Sequence, residues 1–331
     1  NPILRESSGM HVVSRFRVSK LRAFILIFSL LPLTGCLFRS SRNVPRTMTT
    51  APLKEAPLQQ LLAVIDSSAE KLHTLKADVN IDASTGGEKK GKVTDYREVS
   101  GYVLVRKPGM LRMIGLVPVV RNRLFDMVSN GTSFELSIPP TSKFYVGSNR
   151  QTGKPSSQPL ENLRPQHIFD ALLLRPIDPE NEIAVLENST EMVRDPKTHK
   201  QAIAPDYVVV VVRKDEQGWY LSRKIVFSRI DLLPHEQYIY NRTGAIATFA
   251  DYEDFADHGG IMFPSRIEIQ RPIEEYAITL NVTRLTLNEP LTDQQFVLTQ
   301  PPGSKLINVD NKNTSAQTQP MPPVGQGRPP E

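Results

Sequence analysis

From Leu58 to Leu72 the apolar residues Leu58, Leu61, Leu62, Ile65, Ala69 and Leu72 recur every three or four positions, the spacing of one face of an α-helix. Pro57 stands where such a helix starts. The period then changes to two: Leu75, Ala77, Val79, Ile81 and Ala83 alternate with Lys76, Asp78, Asn80 and Asp82, as in a half-buried strand, and Gly86-Gly87 ends the run. Strand-like runs follow at residues 96–106, 111–114, 124–129, 133–138 and 143–146, separated by Pro108-Gly109, Asn130-Gly131 and Pro139-Pro140. Asn-Gly between alternating runs is a hairpin signal. A second helix is predicted at residues 165–174, where Ile168, Ala171 and Leu172 share a face before Arg175-Pro176 stops it. The second half is again β, with runs at 184–187, 207–213, 219–228, 237–240, 245–252, 263–269, 276–287 and 296–298. Val208 to Val212 is continuously apolar, so either both its faces are covered or it is a central strand under a helix; the second is adopted.

The N-terminal region has a different pattern. Arg15, Arg17, Lys20 and Arg22 precede an apolar stretch at 23–33, short of the roughly 20 residues that cross a bilayer, which ends in Leu33-Thr34-Gly35-Cys36. These four residues resemble the bacterial lipobox. The resemblance implies diacylglycerol on the Cys36 thiol, cleavage before Cys36 and N-acylation of the new terminus. A signal anchor, or an ordinary signal peptide with a coincidental cysteine, is the alternative. Cys36 is the one cysteine in the chain, which excludes an intrachain disulfide, a cysteine metal site and a CxxC redox pair. Two or more acyl chains hold a protein to a membrane where one does not. Met10 is the expected initiator. The expected organisation is a signal peptide at 1–35, a flexible tether at 36–57, a folded domain at 58–303 and a disordered Pro- and Gln-rich tail at 304–331.

The net charge of +5 loses its weight once the signal is set aside, since residues 36–331 hold 35 basic and 34 acidic side chains. No nucleic-acid partner is expected. No second run approaches membrane-spanning length, so the lipid is the expected anchor. Chemistry is sparse. There is no GxSxG, no GxxxxGK[ST] and no GxGxxG after a strand. The histidines at 11, 73, 167, 199, 235 and 258 are scattered; His258-Gly259-Gly260 reads as a loop, and Asp251, Glu253 and Asp254 as a solvated rim. No catalytic residue, metal or cofactor beyond the lipid on Cys36 is expected. Apolar binding remains. If the sheet curls into an open barrel covered by helices, its concave face can enclose acyl chains. Alternation nominates Val79, Ile81, Val103, Val105, Phe125, Phe134 and Leu136 as lining. The same alternation equally describes a packed core.

Three stretches carry a family resemblance. Gly101-Tyr102-Val103-Leu104-Val105-Arg106-Lys107-Pro108 is similar to a strand ending in a basic residue and proline. Leu124-Phe125-Asp126-Met127-Val128-Ser129-Asn130-Gly131-Thr132 resembles a strand and turn, and 296–303 resembles a closing strand with a Pro-Pro-Gly turn. Together with the order of elements, these resemble the LolA/LolB family of bacterial lipoprotein sorting. The resemblance implies an α+β fold, an incomplete antiparallel barrel of about 11 strands with helices over its concave face. It implies binding of lipid or lipoprotein acyl chains and their insertion into the outer membrane from its periplasmic face, by a monomer that meets a soluble carrier protein. The lipid anchor favours the receptor-like branch, in which an apolar loop contacts the membrane; either Leu116 or Val117 is exposed there, or Leu116 to Val120 extend a buried strand. The competing class is a non-catalytic envelope lipoprotein that uses its sheet as an interaction platform.

Overall fold

The computed structural model describes residues 46–47, 52–87, 91–150, 162–189, 192–194, 201–203 and 205–310. Arg46–Thr47 (β1) is a two-residue strand. Leu58–Lys71 is α1, which begins after Pro57 in extended conformation and ends with Lys71 in its last turn, where a cation suits the helix dipole. A first antiparallel meander comprises β2 (Thr74–Gly87), β3 (Lys92–Arg106), β4 (Met110–Leu116), β5 (Arg123–Ser129), β6 (Ser133–Ile138) and β7 (Lys143–Ser148). The Asn130-Gly131 turn lies between β5 and β6: Gly131 takes φ 90°, and Asn130 Oδ1 accepts from the amides of Thr132 (2.9 Å) and Ser133 (2.8 Å).

The chain then forms α2 (Pro165–Leu172), with proline at its first turn, and β8 (Glu182–Asn188). Met192–Arg194 (β9) and Gln201–Ile203 (β10) pair with each other. A second meander comprises β11 (Asp206–Asp215), β12 (Gly218–Ser228), β13 (Pro234–Tyr240), β14 (Ile246–Asp257), β15 (Met262–Arg271) and β16 (Tyr276–Leu287). Pairing of β16 with β2 joins the two meanders, and β17 (Lys305–Asn308) adds a parallel strand beside β7. The result is one open 14-stranded sheet in the order β17-β7-β6-β5-β4-β3-β2-β16-β15-β14-β13-β12-β11-β8.

Paired residues on adjacent strands share a face, so the register traces one inner face across the sheet. Val209, Ile225, Gln237, Ala250 and Ile269 oppose one another in turn. So do Ala77, Val103, Met113, Met127, Leu136, Tyr145 and Ile307. All twelve are buried. This face holds both helices, but in separate apolar clusters. The larger joins Ile168, Phe169, Ala171 and Leu172 of α2 to β2–β7 and β14–β17. The smaller joins Leu61 and Ile65 of α1 to Tyr207, Val209 and Val211 of β11 and Ile225 and Phe227 of β12. On the outer face a third, small cluster packs Leu291 and Phe296 on Val128, with Arg106 Nη1 donating to Leu291 O (2.7 Å) and Arg112 Nη1 to Gln295 O (2.9 Å).

The sheet differs from the expectation in four ways. It has 14 strands rather than about 11, because even the shortest runs keep their own place and β17 forms within residues expected to be a tail. Described structure thus runs past Gly303. Residues 296–298 make no strand, since Asp293–Phe296 winds into a 3₁₀ turn closed by a capping box between Thr292 and Gln295. The helix expected at 165–174 stops at Leu172. Finally, β11 lies under α1 as expected but is one strand from the edge. Its Val208, Val210 and Val212 are half-buried on the outer face, beside the exposed Ile183 and Val185 of β8.

Candidate functional site

The two helix-bearing clusters meet along a seam, and a cavity of about 60 Å³ lies in it. One wall is Val64, Ser68, Ala69 and Leu72 of α1 and its cap; the other is Leu172, Leu173 and Leu174 at the end of α2. Leu233-Pro234, Tyr252, Phe255 and residues 261–264 complete it, with Lys107 at the β3–β4 turn. The surroundings explain the gap. Leu173 is extended rather than helical, so α2 stops short of α1, and Leu172 and Leu173 project from a chain that leaves at Arg175-Pro176. Gly259 and Gly260, both with positive φ, turn the loop that brings Ile261 in, and Lys71 Nζ donates to Gly260 O at 3.4 Å.

Polar groups beside the gap fix α2. Tyr252 OH donates to Ala171 O (2.7 Å), and Gln237 Nε2 reaches Asp170 O and Tyr252 OH (each 3.4 Å). Burial pushes the Tyr252 phenol far above its ordinary pKa, so it stays a donor. His167 lies 3.4 Å from Tyr276 OH; burial first, then Arg271 and Arg164, holds its pKa well below the usual range and keeps it neutral.

The sequence candidates fall at defined places. Cys36 lies outside the described residues. Val79, Ile81, Val103, Val105, Phe134 and Leu136 are on the inner face, buried in the larger cluster; Phe125 is half-buried against it, its ring lying where a Cβ on Gly115 would sit. None borders the cavity. Its walls come in part from the expected helix, through Ala69 and Leu72, and otherwise largely from stretches with weak periodicity, 172–174 and 261–264, and from Lys107, which stood inside the Lys-Pro motif. Leu116 corrects an expectation: it is buried, Val117 is half-buried, and the exposed apolar tip is Val119 (97% exposed) and Val120 (63%). The strand continues through Leu116, which pairs with Ser100 and Arg123, so the turn peaks three residues later.

The acidic stretch belongs to the outer face. Asp251 directly opposes Glu236 on one side and Glu268 on the other. Arg266 pairs instead with Glu253 (3.0 Å) and Glu268 (3.2 Å), and Asp251 Oδ1 is buried without a partner. Burial, then Glu253, Glu236 and Glu268, pushes Asp251 from 3.8 to about 6. A carboxyl whose folded pKa is raised weakens the fold once ionised, so stability falls as pH rises from about 4 to 6. Asp251→Asn should therefore stabilise by about 1 kcal/mol at pH 8, allowing for solvent screening, and by nothing at pH 4. Urea unfolding at both pH values checks it. No three His, Cys, Asp or Glu side chains among the described residues are grouped to hold a metal ion, and no described helix is long and apolar enough to cross a membrane.

An open antiparallel sheet with two helices packed on one face, and an apolar seam between them, defines the class of this protein. No family model and no curated protein matches the sequence. Among solved structures the chain is similar to a LolA superfamily protein from Nitrosomonas europaea, at 14% identity and TM-score 0.43, covering 74% of this chain and 99% of that one. It is similar to a DUF1329 family protein from Desulfovibrio piger, at 14% identity and TM-score 0.47, covering 73% and 98%. It is also similar to a domain from Vibrio parahaemolyticus described as an outer membrane lipoprotein-sorting protein domain, at 11% identity and TM-score 0.43, covering 72% and 96%.

Proposed function

We propose that this protein binds the acyl chains of lipids or lipoproteins in the seam between α1 and α2 and passes them to the outer membrane, to which the lipid on Cys36 holds it. The observation that carries this reading is the seam itself: a gap with mostly apolar walls between two apolar clusters, which Leu72 and Leu174 border from opposite sides. A cavity of about 60 Å³ is far below the ~300–1,000 Å³ of a small-molecule pocket, so an acyl chain enters only as the helices part. Parting them along the seam leaves Leu61 and Ile65 in the smaller cluster and Ile168 and Ala171 in the larger, and draws Leu72, the cap of α1, out of the larger. Each methylene then gains about 0.8 kcal/mol on leaving water, in the cavity or in the bilayer. Transfer is nearly balanced, and the capacity of the membrane gives it direction. Native mass spectrometry of the purified full chain offered a diacylated lipopeptide tests the reading. A bound acylated species is expected; none at any excess would end it.

Val119 and Val120 are the loop assigned to membrane contact. Val119 holds φ 69°, a conformation strongly disfavoured for a β-branched residue, and leaves its side chain in solvent. The double substitution Val119→Asp, Val120→Asp should leave thermal stability within about 0.5 kcal/mol. It should cut lipopeptide delivery to vesicles severalfold, measured by flotation. Unchanged delivery would remove the loop from the mechanism. The platform reading is favoured by one observation, the apolar outer surface of β8 and β11 around Ile183, Val185 and Val210.

A further inference from the structure

The acyl-chain reading leaves the headgroup open, and Lys107 bears on it. Lys107 is the charged side chain in the cavity wall. Its Nζ donates to the carbonyl of Ala69, in the last turn of α1, where helix carbonyls lack intrahelical donors. It forms no ion pair among the described residues, and burial alone pushes its pKa down. The arginines of β3 and β4 are committed elsewhere: Arg106 pairs with Asp293, and Arg112 with Asp126 at 2.7 Å. A half-buried ammonium facing apolar walls, satisfied by one neutral carbonyl, is short of an anion.

Resting on the acyl-chain reading, we propose that the seam takes an anionic single-chain amphiphile, its carboxylate or phosphate on Lys107 Nζ and its chain along Leu72, Leu173, Leu233, Phe255 and Phe263. The headgroup lies at the turn between β3 and β4 and the chain runs between the helices. When α1 moves to admit the chain, Ala69 O leaves Lys107, and the anion takes its place in a stronger, charge-assisted bond.

Equilibrium dialysis of the purified full chain against oleate, a lysophosphatidate with the same acyl chain, and uncharged monoolein tests this. At least one anion should bind tenfold or more tighter than monoolein. Lys107→Gln, which keeps a donor for Ala69 but no charge, should erase that preference, while Lys107→Arg should retain it. Preference for oleate assigns a carboxylate headgroup, and preference for lysophosphatidate a phosphate. Equal binding of all three ligands, or a preference that survives Lys107→Gln, overturns the inference and leaves the acyl-chain reading standing. Binding of none overturns the inference, and a diacylated lipopeptide that also fails to bind overturns the acyl-chain reading.

Discussion

Glu182→Gln is expected to lower the unfolding free energy by about 3 kcal/mol at pH 7, one of the largest losses available to a single polar substitution in this chain. Glu182 opens the edge strand β8, and its carboxylate is fully buried. It accepts from Arg175, from Arg223 Nη2 at 3.3 Å and from the Asp178 amide at 3.0 Å, with Arg213 3.8 Å away. Arg223 is itself buried, and burial, then Arg175, pushes its pKa down to about 10. With glutamine in its place, a buried guanidinium keeps the carbonyls of Arg175 (3.0 Å) and Pro176 (3.3 Å) and a neutral amide oxygen but no counter-charge, and three cations face one another. Burial alone would raise the Glu182 pKa, but hydrogen bonds from Arg175 and the Asp178 amide, with Arg223, hold it below its ordinary 4.5. A depressed carboxyl contributes stability above that value and loses it as pH falls. The gap between wild type and Glu182→Gln should thus be full at pH 7 and narrow below pH 4.5. Chemical denaturation across pH measures both, and a loss under about 1 kcal/mol would show that the network is solvated and weak.

Alternation and turn chemistry made most of this fold legible. The β2 run, the Asn130-Gly131 hairpin and α1 are local statements, and local physics enforces them. What escaped depends on partners remote in sequence. Lys305–Asn308 has a single buried residue, Ile307, and becomes a strand because β7 offers an edge. Val208 to Val212 reads as a central strand under a helix, yet β11 lies one strand from the edge, since valine suits a strand whether or not its outer face is covered. The site was half legible. Alternation put Val79, Val103 and Leu136 on the inner face, where they pack in the larger cluster and do not border the cavity. It could not separate packed positions from cavity walls. That difference arises where α2 ends before α1 begins to fill the space, set by the extended Leu173 and by the Gly259-Gly260 turn.

The separation of the two clusters leads to the second large effect. Ile65 is 1% exposed on the inner face of α1, within the smaller cluster, while Ile168 is fully buried on α2 within the larger. A carboxylate at either position must leave the core or stay there unpaired, costing about 3 kcal/mol or more. The consequences should nevertheless differ in kind. Ile65→Asp should release α1 from β11 and β12, and hydrogen exchange should show lost protection there while β2–β7 stay protected. Ile168→Asp removes α2 from the cluster that spans both meanders, and protection should fall throughout the sheet. If the seam is where acyl chains enter, Ile65→Asp should also speed uptake of a fluorescent fatty acid by the full chain, because the wall that must move is already loose. Uniform loss of protection in Ile65→Asp would mean that α1 and α2 belong to one cooperative unit, and the seam would then be a packing gap rather than a hinge.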